Sequence, residues 1–280
     1  MMTAAEFSPE QVRARAHCTA DAAGGLTFDV VRPGRDEERW GAGLLLCRRT
    51  PGFGGAAEEV RLPLVPTAAG VLRAALPSTM TLTEGVWNAY FTAGDGGRVR
   101  LLPGTHDLRS LVDRVPRSGR TWLGVRIPYT TQRGNLALRA WQRWPHVEVA
   151  DPLVADGALA LRGRLYGAEL GERARLEVVP RGRRRALATA GARADGVGFL
   201  AVLPLAGLRP PPGDGYELWL RPAPDALRIR VARILDDVAD KQHRMRHPAV
   251  SLADGRHRAR LGYTGANDLL LRVEEERPAR

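Results

Sequence analysis

The chain has 280 residues, 44% hydrophobic and 26% charged, a globular rather than disordered composition and long enough for one large domain or two of ordinary size. No apolar run approaches the ~20 residues of a spanning helix, and Met1 to Arg15 lacks the apolar core of a secretory leader, so the sequence predicts a cytoplasmic protein with no membrane span. A formal net charge of +11 favours anionic partners, yet the basic residues are arginine except for Lys241, a pattern of codon bias that makes nucleic acid an unexpected partner.

Strand signals dominate in chain order. Ser8-Pro-Glu-Gln11 opens like a capped helix, but Val12, Ala14, Ala16 and Cys18 then alternate with Arg13, Arg15 and His17, the period of a strand. Leu26, Phe28 and Val30 alternate with Thr27 and Asp29, and Ala42 to Cys47 is a strand-sized apolar run followed by the loop Arg48 to Gly55. Cys18 and Cys47 lack metal spacing and read as small buried hydrophobes. Trp87 and Trp219 follow glycine turns and read as core, while Trp40 and Trp122 have no clear place. Residues 105–114 and 235–244 each predict a helical turn. Further on, Leu136, Leu138 and Ala140 alternate with Ala137, Arg139 and Trp141, and Leu159, Leu161, Gly163 and Leu165 with Ala160, Arg162 and Arg164. Turn signals at 94–97, Asp156-Gly157, Asp195-Gly196, Asp214-Gly215 and Asp254-Gly255 suit tight hairpins, because a type I′ turn needs positive φ at both central positions.

Three pairs of segments recur in the same order. Leu72-Arg-Ala-Ala-Leu-Pro77 with Glu84 to Phe91 is echoed by Phe199-Leu-Ala-Val-Leu-Pro204 with Asp214 to Leu220. Arg98-Val-Arg-Leu101 leading to Asp107 is echoed by Arg228-Ile-Arg-Val231 leading to Asp237, and Tyr129-Thr130 with Asn135 to Arg139 by Tyr263-Thr264 with Asp268 to Arg272. The expectation is an all-β protein of two tandem antiparallel Ig-like β-sandwich domains arising from internal duplication, residues 1–144 and 145–280, joined at Trp144-Pro145.

Asp236-Asp237-Val-Ala-Asp240 has the spacing of a magnesium–diphosphate motif, but it stands in strand context with no second acidic motif, which favours carboxylates that cap a turn. No Gly-x-Ser-x-Gly, phosphate loop or dinucleotide fingerprint is present, so no catalytic residue, metal site or cofactor is expected. Tyr129 and Tyr263 suit strand corners, and the basic runs 181–185 and 244–260 suit solvated surface. The binding candidate is Trp141 between Arg139 and Arg143, with Trp144 adjacent. Alternation turns the first three outward as a platform for a sugar ring, with arginine for phosphate or carboxylate substituents.

The run Arg230-Val-Ala-Arg-Ile-Leu-Asp-Asp-Val-Ala-Asp-Lys241, with Asp107 to Arg114 and the Tyr-Thr…Asn-Leu ends, resembles actinobacterial, Streptomyces-type proteins labelled transferase and associated with glycosyl- and glycerophosphate-transferases of cell-wall polymer synthesis. The resemblance implies a non-catalytic binding or scaffolding module whose partner is a glycan, an anionic polymer or such a transferase. The second reading is a transferase with its site in the cleft between the two β-domains.

Overall fold

The computed structural model describes residues 13–31, 41–50, 58–68, 70–93, 97–112, 114–116 and 121–276. The brief turn expected at Ser8 to Gln11, Trp40 and most of the 48–55 loop and 94–97 turn lie outside them. The regular structure is almost wholly strand; among the described residues the one α-helix is a single turn, Lys241–Arg244 (α1), and a 3-10 turn spans Arg109–Leu111. Both fall inside the segments predicted to hold helical turns. The chain divides into two compact units, Met1–Val112 with Arg126–Ala140, and Asp113–Val125 with Trp141–Arg280.

The strands assigned to the first unit's two sheets are β1 (Arg15–Ala20), β2 (Leu26–Val31), β3 (Gly43–Arg48), β4 (Glu59–Pro63), β5 (Val65–Ala68), β6 (Val71–Leu76), β7 (Gly85–Thr92), β8 (Arg98–Arg100), β9 (Leu102–Asp107), β10 (Leu123–Thr130) and β11 (Leu136–Arg143). One sheet runs β5-β6-β2-β1-β9 and the other β10-β11-β7-β3-β4, with β8 on β7. Alternation makes one face of the first sheet apolar. Cys18, Phe28 and Ala74 are paired across three strands, as are Ala16, Val30 and Leu72, and all are buried. In the second sheet Trp87, Ala89 and Phe91 do the same against Leu44 and Leu46. Both cysteines are buried free thiols, pushed up to about 12 (Cys18) and about 11 (Cys47) chiefly by desolvation.

The second unit holds β12 (His146–Val149), β13 (Leu153–Ala155), β14 (Ala158–Tyr166), β15 (Arg175–Pro180), β16 (Ala188–Asp195), β17 (Gly198–Pro204), β18 (Tyr216–Arg221), β19 (Ile229–Ala232), β20 (Val250–Ser251), β21 (His257–Tyr263) and β22 (Leu269–Glu275). Seven of these close on themselves in the order β15-β16-β17-β14-β12-β19-β18, and β15 pairs again with β18 from Arg175↔Arg221 to Pro180↔Tyr216. Six junctions are antiparallel and β12–β19 is parallel. The all-β reading holds, but this unit is a barrel where a sandwich was expected. Hairpin alternation is the same in both, and only the long-range β15–β18 ladder separates them. Alternate residues such as Val147, Leu161, Leu176, Phe199, Leu218 and Val231 form a single core.

The Asp156-Gly157 hairpin has φ of 51° and 71°, the type I′ requirement met at both positions, and it joins β13 to β14. Two other turns share one bonding pattern. Between β10 and β11, Thr131 N donates to Asn135 O (2.9 Å), Gly134 N to Thr131 O (2.9 Å) and Asn135 N to Thr131 Oγ1 (3.1 Å). Between β21 and β22, Thr264 N donates to Asp268 O (2.9 Å), Asn267 N to Thr264 O (2.9 Å) and Asp268 N to Thr264 Oγ1 (3.2 Å). Gly134 and Asn267 both sit at positive φ, 69° and 59°. Thr131 thus corresponds to Thr264, one residue later than the Tyr-Thr alignment read from the sequence.

Candidate functional site

β11 carries three of the four expected platform residues, but it is covered on both sides. Ala137, Ala140 and Trp141 are buried along with Leu136 and Leu138. Trp141 is 1% exposed and its Nε1 donates to Ala266 O at 2.8 Å, so it is an interior anchor of the second unit rather than an outward plane. The expectation failed because period-two alternation assumes one solvated face. Arg143 donates to Asp268 Oδ1 at 2.7 Å, so Trp141 and Arg143 meet on the same 264–268 turn. Trp144 is half-buried, and its indole lies so close to Gly167 that a Cβ there would come within 2.4 Å of it. Arg139 belongs to the first unit, opposite Val86.

An aromatic ring flanked by two arginines does exist, at Trp219 on β18. The glycine turns before them predict core positions for both Trp87 and Trp219; Trp87 is fully buried, but Trp219 is only half so. Arg228 and Arg230 hold their guanidiniums 4.6 and 4.5 Å from the indole centroid. The cause is register. Trp219 is paired with Arg230 across the β18–β19 ladder, and Arg228 leads into that strand two residues earlier, so both reach the same ring. The sequence signal was present in Arg228-Ile-Arg230, but the pairing that gives it meaning was not.

Carboxylates knit the surrounding face. Glu177, opposite Trp219 on β15, accepts from Arg221 Nε (2.6 Å) and Arg175 Nε (3.0 Å), with Arg228 at 3.9 Å. Burial alone would raise Glu177, but the bonds from Arg221 and Arg175 outweigh it and hold the carboxyl below its usual range. Arg230 donates to Glu217 (2.9 Å) and Asp268 (3.1 Å), and Asp268 also receives Arg143. Five arginines (143, 175, 221, 228 and 230) face three carboxylates (Glu177, Glu217 and Asp268), which leaves the face positive.

The first unit has a similar group. Tyr90 on β7 is paired with Arg100, and the guanidiniums of Arg98 and Arg100 lie 5.7 and 5.0 Å from its ring. Arg98 donates to Glu59 at 3.0 Å and Arg100 to Leu136 O at 3.1 Å.

The Asp236–Asp240 segment is a structural clasp. Asp236 accepts from Val238 N (3.0 Å), Lys241 Nζ (2.5 Å) and Arg233 Nε (3.2 Å); Asp240 faces His243 (2.8 Å), and Asp237 is exposed. The three carboxylates do not converge. Glu148 secures the same segment by accepting the Ile234 and Leu235 amides at 2.9–3.0 Å. A phenol bonded to upstream backbone occurs at Tyr216, whose hydroxyl donates to Arg209 O at 2.5 Å, whereas Tyr263 is buried against His247 and desolvation pushes it up to about 12. Arg181 to Arg185 form an exposed hairpin tip between β15 and β16. In the 244–260 stretch, Arg258 and Arg260 are tied to Glu274 and His257 to Asp254.

No protein-family model and no curated protein matches the chain, so sequence comparison adds nothing to the actinobacterial resemblance. Among solved structures, S. aureus TarS is similar at 12% identity and TM-score 0.33, covering 68% of this chain and 35% of that one. A 217–571 portion of S. aureus TarS gives 13%, 0.32, 70% and 57%. The pullulanase of Anoxybacillus sp. LM18-11, complexed with maltotriose, gives 8%, 0.25, 81% and 26%. The chain spans less than two thirds of each, and likeness this distant fixes neither fold family nor function.

Proposed function

We propose that the chain is a non-catalytic binding module for an anionic sugar- or polyol-phosphate chain, of the kind handled in cell-envelope polymer synthesis, with the Trp219 face as its contact surface. The arginine pair stacked on Trp219, amid a local excess of positive charge, carries this reading. An aromatic ring fixes the guanidinium planes in advance, which lowers the ordering cost when their remaining N–H groups meet phosphate oxygens. The shared Thr131 and Thr264 turns support the companion reading that residues 1–144 and 145–280 arose by duplication of one β-domain.

Calorimetric titration with a glycerol-phosphate oligomer tests the assignment. Binding is expected for the native chain and a large loss for Trp219→Ala and Arg228→Ala with circular dichroism unchanged. Equal affinity of folded variants and native chain overturns it.

A further inference from the structure

The arginine–aromatic group of the second unit has a counterpart in the first. Arg98 and Arg100 are spaced as Arg228 and Arg230, and in each unit the second arginine pairs across an antiparallel ladder with the aromatic residue, Tyr90 or Trp219. A glycine at positive φ opens β7 (Gly85, 154°) and immediately precedes β18 (Gly215, 148°). In each unit the second arginine also bonds at the end of the shared turn or just beyond it. Arg100 donates to Leu136 O, immediately after Asn135, and Arg230 donates to the carboxylate of Asp268, the residue corresponding to Asn135.

The turn residue itself is gripped by one further arginine in each case, Arg13 on Asn135 and Arg143 on Asp268. Asparagine in place of aspartate removes one negative charge from the first group. Among the described residues, the carboxylate bonded to this group is Glu59, through Arg98, while Arg13 and Arg100 donate to neutral oxygens. The first group is also more open, with the Arg98 side chain 57% exposed against 22% for Arg228.

We infer that the Tyr90–Arg98–Arg100 face is a second binding site for the same anionic sugar- or polyol-phosphate ligand, so that one chain engages two segments of a repetitive polymer. This rests on the reading of the Trp219 face given above. A polymer with a phosphate at every repeat suits such a pair, because each group needs only a short segment and the charge pattern recurs along the chain.

The test is the stoichiometry of a short glycerol-phosphate oligomer in calorimetric titration of the full chain. Two equivalents are expected for the native protein and one for the Arg98→Gln/Arg100→Gln variant, with the remaining equivalent abolished by adding Trp219→Ala. Arg98→Glu, on an exposed side chain, is the companion variant and also leaves one equivalent if the double variant fails to fold. One equivalent in the native protein, untouched by the first-unit variants but lost in Trp219→Ala, overturns the second site and leaves the first standing. No binding in any form removes both, and preference for single-stranded RNA of equal charge over the oligomer overturns the ligand class.

Discussion

Lys241 is the chain's sole lysine, and its side chain is fully buried. Its ammonium donates to Asp236 Oδ1 and Val238 O, while desolvation lowers its pKa against the pull of Asp236. Removing one partner of a buried pair leaves a charge short of its counterion, so Lys241→Ala is expected to destabilise by about 3 kcal/mol in urea unfolding. Amine-reactive labelling of the native chain is expected to leave Lys241 unmodified and to reach it only on unfolding, as peptide mapping would show. Asp254 is the acid-side counterpart. Hydrogen bonding to His257, then the backbone amides of Arg256 and His257, lower it to about 2. Because the folded value lies below the unfolded one, its contribution is complete above pH ~4 and is lost as pH falls through about 2. An NMR titration of its carboxyl carbon should show that midpoint, and His257→Ala should move it upward. The burial of Lys241 was not legible in the sequence, since it depends on what the fold lays over a polar residue, whereas Asp254-Gly255 did mark the turn and only the His257 partner was hidden.

Elements were more legible than residues. The alternation in β1, β2 and the start of β14 names the buried side correctly, because those strands have one covered face and one wetter face. β11 defeats the same rule at Trp141, where both faces are covered. Close approach between strands was equally hidden. A Cβ on Gly198 would lie 2.2 Å from the carbonyl oxygen of Gly163, so the β14–β17 ladder closes only over glycine. Gly198→Ala is expected to cost about 2 kcal/mol by forcing backbone apart, measured by denaturant unfolding, while Gly191→Ala, with open space around its Cβ, is the matched control.

For the whole molecule, the net charge of +11 gains meaning from where arginine is concentrated. If the aromatic faces bind through guanidiniums, affinity for the glycerol-phosphate oligomer falls steeply between about 0.05 and 0.5 M salt. Salt-independent binding would point to another surface. The barrel was invisible in the sequence for a related reason: closure depends on which distant strands meet, and local alternation is silent about that.

Closure also has a consequence in time. Strand direction reverses at each antiparallel junction, and a ring of seven cannot reverse at every step and return to its start. One junction must be parallel, and β12–β19 is that junction, joining Val147 to Val231. A hairpin cannot make such a pair; all of β13 to β18 lies between its partners. The first strand of the barrel therefore waits for the last, and an odd strand number sets a late, non-local step in the folding of the second unit.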